Sequence, residues 1–377
     1  MVEAAPSVLI AVEQLRRNVP GGIGNYARGL LAGLQRCAED GDGVEVTLFA
    51  SRPPGGTPDP LAAYGLPVVA SALPGRLMTR AWDHSLLRAP EGFDVVHSVS
   101  LAAPMLRRGS YSRLAVTVHD LAWRRHPEAT TSRGRRWHEA ALRRARDCGA
   151  TLVVPSRLVA ADLVAFGADE ARITVVRGGT DHLAPPDEDA TAALLRRVGV
   201  AGEYLLTVGT LEPRKNLDRL VRAFHRARPQ LPERWPLVIV GPTGWGHGAR
   251  PQESDGVVFT GSVPDAVLSG LYRRARAFAY VPLTEGYGLP PLEAMRMGTP
   301  SVVSSEVPSV HDLGETDPPP ARIVDPLDVE DMAAGLVAAL TDDILRDDLA
   351  ARGSSFASAR TWRAAAGAHV RLWRRLA

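Results

Sequence analysis

The feature that most constrains the fold is an alternation, present in both halves of the chain, between short β-branched runs and segments whose apolar residues recur at helical spacing. In the first half the runs at 7–12, 44–49, 67–70, 93–97, 114–119, 151–155 and 173–176 read as strands. Between them Ile23, Tyr26, Leu30 and Leu34 share one helical face, as do the apolar positions of 157–166. Strands that alternate with helices predict a parallel sheet covered on both faces, hence one doubly wound α/β domain. The proline- and glycine-rich stretch 51–60 reads as an exposed loop inside it.

After a polar break at 182–190, which reads as a linker, the scheme repeats. Strands are expected at 204–208, 237–241, 257–260, 277–281, 301–304 and 322–324, and helices at 216–228, 265–275, 289–297 and 329–340. A last helical pattern, 358–376, carries Trp362 and Trp373 and is expected to cross back onto the first domain. The expected division is therefore 1–182, 183–357 and a final helix 358–377. A chain of 377 residues has room for two such domains. Ligands of open parallel sheets bind beyond the carboxyl ends of the strands, so the domains are expected to face each other across a cleft.

Composition removes several classes of function. No apolar run reaches the ~18 residues of a membrane span, and the short apolar run near the start has its arginines after it, unlike a leader segment. A cytoplasmic protein is expected. Cys37 and Cys148 are far apart and lack metal-ligand spacing, so neither a disulfide framework nor a structural zinc site is indicated. A net charge of +2 gives no case for a nucleic-acid partner. Among the 44 basic residues Lys215 is the one lysine, in a chain that uses arginine everywhere else. An ammonium is a compact point charge on a flexible stem, which a guanidinium fork does not replace.

The chemistry-bearing residues cluster after the expected strand ends. Glu285, Gly286, Tyr287, Gly288, Leu289 and, two turns into a helix, Glu293 follow the strand that ends near Val281. Carboxylates accept charge-assisted hydrogen bonds from vicinal hydroxyls, and glycines let backbone amides approach a phosphate at a helix start. These residues alone leave a second reading open, a capped helix with two surface acids. In 209–217, Arg214 and Lys215 place two cations at another strand-to-helix turn, a setting suited to a diphosphate whose charge grows as its partner leaves.

Three further turns are glycine-rich or polar. Gly21, Gly22 and Gly24 open the first helix, without the third glycine and the acid that a dinucleotide fingerprint requires. His119 and Asp120 end the strand at 114–119. The loops at 241–246 and 260–263 follow strands of the second domain, and Trp245 is either a stacking platform or packing. An arginine-rich helix at 132–148 carries Arg133, Arg135, Arg136, Arg143, Arg144 and Arg146. It offers a face for weak peripheral association with an anionic membrane, or for a phosphorylated acceptor, and a plainly solvated helix is the alternative.

The segment from Glu285 to Pro300, with its glutamates eight positions apart and Gly298-Thr299-Pro300 after them, resembles the motif of family 4 of the retaining glycosyltransferases, and the motif at 209–217 stands at matching spacing. The Gly209-Thr210-Leu211-Glu212-Pro213-Arg214-Lys215-Asn216 form is similar to mannosyl- and rhamnosyltransferase members. That resemblance implies a GT-B fold, two Rossmann-like domains facing across a cleft, with the acceptor on the first and a nucleotide-sugar donor on the second. By resemblance Glu285 contacts the donor sugar, Glu293 the nucleotide ribose, Lys215 with Arg214 the donor phosphates, and His119 the transferred sugar. Gly22 lies in the loop that closes over the donor phosphate, Gly241 in the pocket wall, and Val263 beside the nucleobase. Ser156 matches a recurrent family serine.

Two departures stand out. Thr210 occupies a position where the family often has arginine, and Pro308-Ser309-Val310 stands where it commonly has Pro-Glu-Val, a change expected to weaken local helix capping or orientation. The resemblance implies metal-independent transfer with retention and no cofactor: the acceptor hydroxyl approaches the face that the diphosphate leaves, and a donor phosphate oxygen takes its proton. Domain closure is expected with it. GDP-mannose is the first expectation for the donor, and a glycan, a glycolipid or a specialised metabolite for the hydroxyl acceptor. A nucleotide-sugar epimerase or hydrolase of the same fold, or a non-catalytic sugar-nucleotide-binding protein, is the alternative. Localisation is expected to be cytoplasmic, with weak peripheral contact at the inner membrane face through 133–146.

Overall fold

The computed structural model describes residues 5–17, 21–53, 55–56, 58–105, 113–244, 255–312 and 317–377. The chain divides into two compact units: Met1–Trp123, Thr130–His182 and Thr361–Ala377 make one, and Arg124–Ala129 with Leu183–Arg360 make the other. Among the described residues no helix is long and apolar enough to cross a membrane.

The first unit holds seven parallel strands, β1 (Ser7–Ala11), β2 (Glu45–Ala50), β3 (Val68–Ala70), β4 (Val95–Ser98), β5 (Leu114–Thr117), β6 (Thr151–Val154) and β7 (Ile173–Val175). Their order is β3-β2-β1-β4-β5-β6-β7, so the winding reverses between β1 and β4. Leu9 on β1 pairs with Thr47 on one side and Val96 on the other. β1 is completely apolar after Ser7 because both of its faces are covered. Leu9, Phe49, Val116 and Leu152 build one layer with Trp82, Trp123 and Leu142 from the helices. Ser51, expected in an exposed loop, is buried, because its amide and hydroxyl both donate to the Glu13 carboxylate (2.8 and 3.0 Å).

The helix that follows β1, Gly21–Glu39, packs against the last helix, Trp362–Leu376. That contact explains the small residues in it. A Cβ on Gly29 would fall 2.0 Å from the Trp362 ring and one on Gly33 would fall 2.2 Å from the Trp362 carbonyl oxygen, so only glycine admits this approach. Trp362 is fully buried there, and Trp373, further along the last helix, is fully buried against His97 of β4. The last helix starts at Trp362, not at 358 as its pattern suggests: Thr361 is an extended N-cap whose hydroxyl accepts from the Ala364 amide (3.2 Å). Ser358 instead closes a separate helix, Asp343–Ser358, of the second unit.

The second unit repeats the plan with β8 (Leu205–Val208), β9 (Leu237–Val240), β10 (Val257–Gly261), β11 (Ala277–Tyr280), β12 (Ser301–Ser304) and β13 (Arg322–Val324), in the order β10-β9-β8-β11-β12-β13. Its strand residues sort by parity. Leu205, Ile239, Ala279 and Val302 join one core layer, while Leu206, Val240, Phe278, Tyr280 and Val303 join the other. The winding reverses between β8 and β11, so the loops leaving these neighbouring strands are where a ligand crevice belongs.

Candidate active site

The loops after β8 and β11 carry the motif residues of the second unit. After β8 the chain makes one 3₁₀ turn, Pro213–Lys215, and Asn216 then adopts a left-handed conformation (φ 60°, ψ 29°) before the helix Leu217–Ala227. Asparagine is among the few residues that enter this region readily. Its buried side-chain amide donates to the Val281 and Pro326 carbonyls (3.0 and 2.7 Å), which locks the turn to β11. The Leu283 amide donates back to the Arg214 carbonyl (2.9 Å).

This interlock aims two cations at one carboxylate. Lys215 Nζ lies 2.5 Å from Glu285 Oε1, and Arg214 Nη1 lies 2.8 Å from Glu285 Oε2. Arg214 also donates to Glu212 (2.8 Å) and to the Thr284 carbonyl (3.1 Å). Tyr280 completes the arrangement: its hydroxyl accepts from Lys215 Nζ (2.8 Å) and donates to Glu285 Oε1 (2.7 Å). The Lys215, Arg214 and Glu285 side chains are 13, 18 and 10 % exposed, so water screens these charges poorly. Burial pushes the Glu285 carboxyl up, but Arg214 and Lys215 outweigh it and bring its pKa to about 2. Burial lowers the Lys215 ammonium, and Glu285 opposes that shift. The cluster of two cations and two carboxylates is neutral as a whole.

Gly286, Tyr287 and Gly288 continue from Glu285 as a buried turn into the helix Leu289–Arg296. Gly288 has φ 94°, and a Cβ there would fall 2.6 Å from Val307. Ser309 holds the turn from the other side, its hydroxyl donating to the Gly288 carbonyl (2.6 Å) and its amide to that of Tyr287 (2.9 Å). The short helix Pro308–His311 has no side-chain cap, so the serine at this position serves the glycine turn rather than its own helix. Pro290 and Pro291 carry no N–H, which leaves amide donors at this helix start to residues up to Leu289. Glu293, on the second turn, is buried and accepts from the Tyr272 hydroxyl at Oε2 (2.9 Å).

The remaining second-unit residues line the loops nearby. The Gly241 amide donates to the Gly261 carbonyl (3.0 Å), and a Cβ on Gly241 would fall 2.0 Å from the Gly209 carbonyl oxygen. Val263 is half-buried against the same core layer as Tyr272 and Leu292. Trp245 lies outside the described residues.

In the first unit Gly22 is exposed in the first turn of Gly21–Glu39, and Tyr26, one turn on, meets His119 edge to face at 4.9 Å. His119 Nε2 lies 2.8 Å from the Val99 carbonyl oxygen, which can only accept, so Nε2 carries the proton. Burial lowers the His119 pKa, which favours the neutral ring, with Nδ1 as an acceptor. Sequence alone left either nitrogen open. Asp120 Oδ1 accepts from the Ala122 amide (3.0 Å), and the buried Ser156 hydroxyl caps the helix Arg157–Ala165 through the Val159 amide (3.2 Å).

Sequence reading missed Tyr280, Tyr272 and Asn216 as parts of the site. Only Asn216 had a local signal, an asparagine next to the cations at a strand-to-helix turn. In the helix Ser132–Asp147, Arg143, Arg144 and Arg146 are paired with Glu139, Asp83 and Asp147, while Arg133, Arg135 and Arg136 are exposed and make no ion pair among the described residues. Among the described residues no three His, Cys, Asp or Glu side chains converge as a metal site would require.

Two doubly wound parallel sheets in one chain, with polar loops at the carboxyl ends of their strands, make the two-domain GT-B fold. The sequence agrees. Residues 20–182 match the family described as Glycosyltransferase Family 4, and residues 202–342 match Glycosyl transferases group 1. An O-antigen chain mannosyltransferase B of Escherichia coli is 30 % identical over 260 residues, 66 % of this chain and 67 % of the relative. The serotype-specific mannosyltransferase WbdA of Escherichia coli is 33 % identical over 168 residues, 42 % of this chain and 20 % of the relative, so the chain matches only about a fifth of that protein. The structure of Anabaena HepE in complex with UDP and glucose superposes with a TM-score of 0.70 at 17 % identity, over 98 % of this chain and 100 % of that one. Sucrose-phosphate synthase of Thermosynechococcus elongatus also gives 0.70, at 20 % identity over 99 % of both chains. The chain belongs to glycosyltransferase family 4, and it is a glycosyltransferase.

Proposed function

We propose that the protein transfers mannose from GDP-mannose to a hydroxyl of a glycan, glycolipid or specialised metabolite, with retention of configuration and without a metal ion or cofactor. The observation that carries this reading is the cation pair Arg214 and Lys215, largely buried against Glu285. A donor diphosphate offers the same cations more charge and more oxygens than Glu285 does. Its arrival draws Arg214 and Lys215 onto the phosphates and frees Glu285 to accept from sugar hydroxyls. The cations then neutralise charge that grows on the diphosphate as the glycosidic bond breaks, which is stabilisation specific to the transition state.

The other roles follow the chemistry of each group. Glu293, buried on its helix beside Tyr272, is assigned the ribose hydroxyls, and His119 a sugar hydroxyl that donates to its Nδ1. Amides from Gly286 to Leu289 are assigned to the donor, Gly22 to its phosphates, and Gly241 with Val263 to the nucleoside. The acceptor hydroxyl adds on the face that the diphosphate leaves and gives its proton to a donor phosphate oxygen, so the anomeric carbon keeps its configuration. Mannose and guanine are supported by the mannosyltransferase relatives, one of which, in Mycolicibacterium smegmatis, is described as GDP-mannose-dependent and is 29 % identical over 269 residues. Weak peripheral contact with an anionic membrane, at the inner face of a cytoplasmic enzyme, belongs to the same reading and narrows to the exposed Arg133, Arg135 and Arg136.

The test is thermal unfolding without added metal, with GDP, UDP, dTDP and their sugar conjugates. Ligand at 100 times its Kd adds roughly 2.7 kcal/mol to stability. A shift with GDP and GDP-mannose that survives a chelator is expected, followed by an α-linked product in proton NMR. A shift confined to UDP or dTDP ligands would overturn the donor, and a β-linked product would overturn retention.

A further inference from the structure

A chain of buried polar groups in the first unit begins and ends on the last helix. His369 Nδ1 lies 2.8 Å from the Ala365 carbonyl, which only accepts, so this nitrogen carries a proton. Burial lowers the His369 pKa to about 4, and the ring is neutral near pH 7. Its Nε2 is therefore an acceptor, and the Tyr26 hydroxyl 2.9 Å away donates to it. At the other end Trp373 Nε1 donates to His97 Nδ1 (3.1 Å). His97 is also neutral, by burial first and then by the nearby His369 and His119, so its Nε2–H donates to Thr117 Oγ1 (2.9 Å). The Tyr26 proton is already spent on His369, and the Thr117 hydroxyl accordingly donates to Tyr26 (3.4 Å).

Every proton in the chain is thereby placed: Trp373 to His97, to Thr117, to Tyr26, to His369, to Ala365. The Tyr26 hydroxyl is held on two sides, and its ring stands against His119. Among the described residues, the hydrogen bond that anchors the His119 ring runs from Nε2 to the Val99 carbonyl. Rocking of the ring about that point would swing Nδ1 away from a ligand, and the Tyr26 ring stands edge to face against it at 4.9 Å.

We propose that Tyr26 is a positioning residue for His119, and that the last helix sets it through the acceptor nitrogen of His369. The inference rests on the assignment of His119 to the transferred sugar. The coupling has a definite direction: losing the His369 acceptor frees the Tyr26 ring, and His119 then samples more than one orientation.

The test uses the full chain labelled with ¹⁵N-histidine, with His119→Ala to assign the His119 ring nitrogens. The wild type is expected to show one His119 tautomer, protonated at Nε2. His369→Leu removes the acceptor, and Tyr26→Phe removes the same hydrogen bond from the other side without adding bulk, which covers the case in which the leucine variant does not fold. In both, the His119 signals are expected to shift toward an average of tautomers. His369→Gln brings an amide oxygen within reach of the Tyr26 hydroxyl and is expected to restore the wild-type signals. GDP release from GDP-mannose supplies a second readout: at least a tenfold fall in kcat in Tyr26→Phe with KM within twofold, and recovery in His369→Gln. Unchanged His119 signals in Tyr26→Phe, or a glutamine variant as perturbed as the leucine one, would overturn the proposal. Wild-type GDP release by His119→Ala would instead overturn the sugar assignment, while the tautomer measurement would still decide whether Tyr26 orients that ring.

Discussion

Lys215 is the single ammonium in a chain of arginines, and its surroundings give the choice a reason. Its Nζ reaches both Glu285 and the Tyr280 hydroxyl from a short turn, a task for a point charge on a flexible stem. Lys215→Ala should lower turnover about a hundred- to a thousandfold, the range for removing one preorganised donor to a developing charge. It should also change the acid response. With a carboxyl pKa near 2 in the fold against an ordinary 4.5, Glu285 contributes stability that is full above about pH 4.5 and is lost as the pH falls toward 2. Without the ammonium the folded carboxyl titrates at higher pH, so the loss below about pH 4.5 should be smaller and should end at higher pH, and melting curves between pH 5 and 2 would show it; an unchanged profile would mean that Arg214 alone sets the carboxyl. Tyr272→Phe tests the other carboxylate. It removes the donor to Glu293 Oε2, and GDP affinity by calorimetry should fall about tenfold, for a lost hydrogen bond to a charged group worth about 1.5 kcal/mol. The motif residues were legible in the sequence because each sits next to its neighbours in a turn. Tyr272, Tyr280 and the Asn216 anchor were not, since the groups they bond lie 21, 65 or 110 positions away, or across a turn from a strand residue that reads as core.

At the scale of elements the strands were legible throughout: the inner ones are buried on both faces and so nearly continuous in apolar residues, and the half-buried edges β3, β7 and β10 are short β-branched runs. The helix Asp343–Ser358 was legible as helical around Asp343 and Asp347 but not as a packed element. Its buried positions Leu349, Gly353 and Ala357 fall four apart, but two of the three are too small to mark an apolar face. A Cβ on Gly353 would fall 2.9 Å from the Met295 side chain, so smallness is the price of close packing there. The same trade governs the first and last helices, where the sequence shows only scattered glycines and the structure shows Trp362 seated on them. Gly33→Ala should therefore destabilise the first unit by about 1–3 kcal/mol, as overpacking does, although alanine is the better helix former in isolation. Chemical denaturation of the variant measures it. A stabilised protein would mean that the two helices separate at little cost, and would place the tryptophans' contribution elsewhere.

The whole chain is built so that its two units answer acid differently. In the first unit His97 and His369 are buried and neutral, the latter with a pKa of about 4 against an ordinary 6.5. Their folded forms bind fewer protons than the unfolded chain does in this window, so stability falls as the pH drops from about 6.5 toward 4. For His369 alone the loss amounts to about 3 kcal/mol across the window. The groups that face this pair are Tyr26, Thr117, Trp373 and His119, and none of them is a carboxylate that would hold a protonated imidazole. The second unit loses the Glu285 contribution only below about pH 4.5. Acid should thus weaken the first unit before the second, and calorimetry at descending pH should resolve an early transition from a later one. His369→Gln, which cannot take up a proton, should move the early transition to lower pH and leave the later one in place. A single transition indifferent to that substitution would mean that the buried histidines open to water before they titrate, and that the last helix releases the first unit's core well before the unit as a whole unfolds.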